Sequence, residues 1–96
     1  EPAMSQPLSL PPLSEIAALA DTAGTVREAA ALLRQRLAPL RVVVVDAFDM
    51  RAETPAARGS RRLLWFGASD GHCWQVTQDA AQAAGLFLAD RPGAAA

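Results

Sequence analysis

The chain has 96 residues, 51% of them hydrophobic and 20% charged, with a formal net charge of -1. That is enough chain for one core but not for a second domain or a deep enzymatic cleft, and the composition is that of a folded protein. Near-neutral charge argues against nucleic acid and acidic lipid as partners, and the absence of lysine excludes a Schiff-base or P-loop lysine.

Glu1–Ala3 precede Met4 and are set aside as a leftover of expression. Residues 4–12 carry Pro7, Pro11 and Pro12 among serines and leucines, a pattern that predicts an extended arm over residues 1–12. A single domain is expected over 13–91, with a frayed tail at 92–96. Ser14 is the expected N-cap of a short first helix whose apolar positions Ile16, Leu19, Ala20 and Ala23 repeat until Gly24. Thr25 and Glu28 have capping-box spacing and start a second helix, with Val26, Ala29, Ala30, Leu33 and Leu37 as its stripe and Pro39 as its stop.

Val42 to Val45 form an unbroken β-branched run, the mark of a strand covered on both faces, so residues 40–48 are expected to be the central strand. A polar loop follows from Asp46 through Gly59. Two aromatic and β-branched runs then flank Asp70-Gly71, a strong hairpin signal. A short helix over Gln78–Ala84, stopped by Gly85, and a last strand at Leu86–Ala89 complete the order ααβββαβ. The expected fold is α+β, with the N-terminal helices packed on one face of a mostly antiparallel four-stranded sheet.

Side chains alternate along the hairpin, so His72, Trp74 and Val76 share one face and Cys73, Gln75 and Thr77 the other. A two-residue Asp70-Gly71 loop groups Leu63 and Trp65 with Trp74, whereas a three-residue loop from Ser69 groups Leu64, Phe66 and Ala68 with it. In either register the face away from the helices keeps one of Trp65 and Phe66. Those two residues, with Arg61 and Arg62 beside them, are the expected contact surface for a protein partner or a second copy.

Imidazole and thiolate are both good transition-metal ligands, which makes His72 and Cys73 the candidates for a metal or redox site. Adjacent residues of a strand point to opposite faces, however, so the pair cannot close on one ion or serve as nucleophile and base. A small structural thiol is the preferred reading, with no metal and no cofactor. The arginines at 58, 61 and 62 are read as a solvated edge that discourages sheet-to-sheet pairing rather than as a nucleic-acid patch. One cysteine leaves no internal disulfide, no leader is legible, and no apolar run is long enough to span a bilayer. The expected location is cytoplasmic, with no membrane partner.

The run Gly71-His72-Cys73, then Val76-Thr77, Asp79 and Ala83-Ala84-Gly85-Leu86, resembles a family of small uncharacterised proteins encoded beside bacterial nitrogen-fixation genes. The resemblance covers residues 63–89 and departs from the family at Ala84, where threonine is expected. It implies a genomic setting and no activity, ligand or site residue. The expectation is thus a small non-enzymatic accessory or interaction domain. Its rivals are a redox or metal-handling protein using Cys73 and His72, and an enzyme whose site forms across a dimer.

Overall fold

A computed structural model describes residues 11–71 and 73–92. The arm expected over 1–12 and the tail at 92–96 therefore fall largely outside the described residues. Helix α1 spans Leu13–Asp21 and starts earlier than Ser14 predicts, because Pro12, with its fixed φ, takes the N-cap position and its carbonyl accepts from the amides of Glu15 and Ile16. It also ends before Gly24. Helix α2, Val26–Arg36, begins where the spacing predicts, with Thr25 Oγ1 accepting from the Glu28 amide at 3.1 Å. Ala20, Ala29 and Ala30 are fully buried where the two helices meet, and Ile16 and Leu33 complete the stripe laid on the sheet.

The sheet is mixed and has five strands: β1 Arg41–Val44, β2 Ala57–Arg58, β3 Arg62–Ser69, β4 Trp74–Thr77 and β5 Gly85–Asp90. β5 lies between β1 and β3, parallel to the first and antiparallel to the second. β2 and β4 share the far edge of β3, on Leu63–Leu64 and Phe66–Ser69 respectively. The expected four strands are thus corrected to five, and one of their pairings is parallel. The short β2 was hidden in the long loop, and the helix expected at 78–84 is a single 3-10 turn, Ala80–Gln82, capped by Asp79.

The valine run is not the central strand. β1 is an edge, with Val42 buried and Val43 and Val44 each 38% exposed. β-branching reports fitness for a pleated surface and says nothing about how many neighbours a strand has. The centre belongs to β3 and β5, and Gly85, expected only as a helix stop, is what admits β1 beside them. A Cβ there would lie 2.8 Å from the Arg41 carbonyl oxygen.

The hairpin turn sits one residue beyond Asp70-Gly71. The Asp70 amide donates to the Cys73 carbonyl at 3.3 Å, so Gly71 becomes the first central residue and adopts φ +95°. Ser69 faces Trp74 and Gly67 faces Val76, a slip of two from the Asp-Gly register. A slip of two preserves faces, so Leu63 and Trp65 do share a side with Trp74.

Each face of the sheet therefore has its own apolar cluster. Val42, Leu64, Phe66, Leu86 and Leu88 pack under the helices. Leu63, Trp65 and Ala89 on the other side are covered by Ala47 and Met50 of the loop after β1, where Trp65 Nε1 donates to the Glu53 carbonyl at 3.2 Å. The length of that loop is explained by its work as a cover. Over the rest of this face Trp74 meets Phe87 edge to face at 6.0 Å, both above Gly67, where a side chain would strike the two rings.

Candidate functional site

Trp65 is 1% exposed and Phe66 is also buried, on opposite sides of the sheet. Neither offers a surface to a partner, because helices cover one face and the loop covers the other. Arg62, at 2% exposure, is buried as well. Its Nη2 donates to the Ala23 carbonyl at 2.9 Å, and Asp90, 3.4 Å from Nε, balances the charge without hydrogen-bonding that buried nitrogen. Arg61 is exposed, yet its guanidinium reaches the carbonyls of Asp21 and Gly24, each at 3.4 Å.

These arginines belong to a clasp around Asp21. An aspartate in the last residue of a helix opposes the macrodipole. Here its carboxylate accepts from the amides of Ser60 at 2.7 Å, Arg61 at 3.0 Å and Arg62 at 3.1 Å, tying the end of α1 to the turn between β2 and β3. Gly59 allows it, since a Cβ there would sit 2.6 Å from both carboxylate oxygens. Of the four expected interaction residues, Trp65, Phe66 and Arg62 are thus buried and Arg61 is exposed beside the clasp, and the burial of Arg62 divides the arginine group at 58–62.

Cys73 is a free, exposed thiol, where a small structural one, buried or half-buried, is expected, and its amide is held by Asp70 Oδ1 at 2.9 Å. His72 lies outside the described residues. No group of three or more His, Cys, Asp or Glu side chains placed to hold a metal occurs among the described residues. No helix among them is long and apolar enough to cross a membrane.

What the fold does leave exposed is the end of β1. Val43 and Val44 are joined there by Phe48, which is 65% exposed. Phe48 is not loose on its loop: Asp46 Oδ1 accepts from its amide at 2.8 Å, and Arg51 stacks on the ring at 3.9 Å while donating to the Phe48 carbonyl at 2.7 Å. Beside it a cleft of about 800 Å³ opens at the carboxyl ends of β1 and β5, lined by Val26, Val44, Asp46, Phe48, Arg51 and Arg91 among others.

No protein-family model, curated protein or solved structure matches this chain. The resemblance to proteins of nitrogen-fixation loci gains no support from these comparisons, and the site rests on its own geometry. A signal for it was present in the sequence, in the one aromatic residue set inside the polar loop, Phe48 between two aspartates. Sequence reasoning passed over it because the hairpin held the larger aromatics.

Proposed function

We propose that this chain is a small non-enzymatic domain that works by protein contact, through the outer edge formed by Val43, Val44 and Phe48. The observation that carries the reading is Phe48, an aromatic side chain 65% exposed on a turn already locked by Asp46 and Arg51. Pre-ordered aromatic anchors bind at low entropic cost and dominate interface energies. The alternating burial of the sheet leaves no comparable apolar group elsewhere among the described large hydrophobics. An accessory role in nitrogen fixation is part of the proposal only through the resemblance of residues 63–89.

A photo-cross-linking amino acid at position 48 tests it, with the same group at exposed Gln35 as control. The expected result is a discrete adduct from position 48 alone, either at twice the chain mass or at another fixed mass. Identical patterns from the two positions would refute the reading.

A further inference from the structure

We infer that the partner at this edge is a second copy of the chain, its β1 paired antiparallel to the first about a two-fold axis through Val44. The inference rests on the reading of the β1 edge as a contact surface and names what occupies it. It begins with the direction of backbone groups. The Val45 amide donates to the Leu88 carbonyl at 2.9 Å, which turns Val43 and Val45 towards β5 and leaves the backbone groups of Val42 and Val44 facing outward. Arg34 marks the same edge from outside: its Nε and Nη2 reach the Val42 carbonyl at 3.1 and 2.8 Å.

A two-fold perpendicular to the sheet keeps each side chain on its own face, so it must pass through a residue of β1, and hydrogen-bonded pairing needs outward-facing residues opposite each other. Centred on Val42, such a pair brings Arg34 of one copy against Arg34 of the other. Centred on Val43, it sets Val44 of the second copy opposite Val42 and carries Asp46 on to face Leu40, one side-chain repeat beyond the carbonyl that Arg34 holds. Centred on Val44, it exchanges two hydrogen bonds between the Val44 residues and sets Asp46 of the second copy opposite Val42. Val42 packs under the helices and Asp46 follows it by four residues, so alternation carried on past Val44 brings the carboxylate to the helix-bearing side, where Arg34 waits. The two-fold makes that ion pair twice. Val26, in the same cleft as Val44, adds an apolar wall at each side of the axis.

Charge thus selects one register out of three, and the same Arg34 that guards the edge against indiscriminate strand addition becomes the group that recognises its own chain. A continuous sheet would run through both copies.

The experiment is sedimentation equilibrium from micromolar to several hundred micromolar, on the full chain. A monomer–dimer equilibrium is expected. Arg34→Glu and Asp46→Asn should each weaken dimerisation by about tenfold or more, the asparagine keeping the oxygen that accepts from the Phe48 amide, and the double variant should be no weaker than Arg34→Glu alone. Val44→Pro is the second probe, because it deletes an outward amide that the β5 ladder does not use; it should abolish dimerisation while far-UV circular dichroism stays that of the parent. A monomer across the whole range overturns the inference, as does a dimer indifferent to Val44→Pro or a double variant whose loss is the sum of the two single losses. An adduct from position 48 at a mass other than twice the chain would overturn the dimer and leave the contact reading standing, whereas no adduct and no dimer remove both.

Discussion

Gly59→Ala and Asp21→Ala should be strongly non-additive, and the clasp between α1 and β3 sets the size of the effect. A Cβ at Gly59 falls 2.6 Å from both oxygens of Asp21. Ordinary contact begins near 3.4 Å, so the carboxylate must retreat by about 0.8 Å, stretching amide bonds now 2.7 to 3.1 Å long past useful length. Hydrogen bonds to a charged acceptor contribute about 1.5–3 kcal/mol each, but the Ser60 and Arg61 amides are exposed and regain water. Only the Arg62 amide, partly buried, loses its partner outright. Asp21→Ala should therefore cost about 2–3 kcal/mol, and Gly59→Ala about 1.5–2 after the gain of roughly 0.5 kcal/mol from a stiffer unfolded chain. Gly71 alone has positive φ among the described residues, so backbone strain does not enter at Gly59. With Asp21 already replaced, Gly59→Ala should cost nothing or stabilise by about 0.5 kcal/mol. Urea unfolding of the four proteins, followed by tryptophan fluorescence and circular dichroism, yields the coupling, expected near 2 kcal/mol. Additivity within about 0.5 kcal/mol would show that the carboxylate is not held as described.

The two tryptophans should separate in energy: Trp65→Ala is expected to cost about 3–5 kcal/mol as a fully buried ring, while half-buried Trp74 should cost about 1–2 kcal/mol, and equal losses in chemical denaturation would contradict the two-cluster sheet. Gly85→Ala should lower the melting temperature by several degrees by pushing Arg41 away from β5, an effect that a matching loss of amide protection in β1 would localise. Exposed Cys73 should react with an aromatic disulfide reagent at one equivalent per chain without denaturant, and a thiol that reacts only on unfolding would be inconsistent with its place in the turn. Elemental analysis of the purified protein should find no stoichiometric zinc, copper or iron; about one ion per chain, lost in Cys73→Ala, would revive the metal reading.

Local chemistry was legible in the sequence and topology was not. Thr25 and Glu28 announced the start of α2 because a capping residue acts within its own turn. The hairpin was announced as well, although its register moved because both Asp70 and Gly71 can occupy several turn positions. The valine run misled for a physical reason: apolar β-branched residues suit an edge laid under a helix as well as a centre. The burial of Trp65 depends on Ala47, Met50 and Glu53, loop residues with no periodicity to read. Asp21 carried a usable hint, since a carboxylate at a helix C-terminus needs donors from elsewhere, but nothing in its neighbourhood names residues 60–62 as their source.

The strand at the middle of the sheet is the last of the described strands in chain order. β1 has no neighbour except β5 among the described strands, and the two partners of their first bridge, Arg41 and Gly85, are more than forty residues apart. On a ribosome, β1 and the helices emerge with their apolar sides unclosed, and the β3–β4 hairpin follows with its longest edge bare. Only the arrival of Gly85–Asp90 fills the gap between them. Assembly consequently waits for β5, and the loop-closure entropy it must overcome places folding among slower domains of this size. Until that closure the bare edges are open to a neighbouring nascent chain, so aggregation during overproduction should track how quickly Gly85–Asp90 follows β3, and slow codons just ahead of Gly85 should lower the soluble yield.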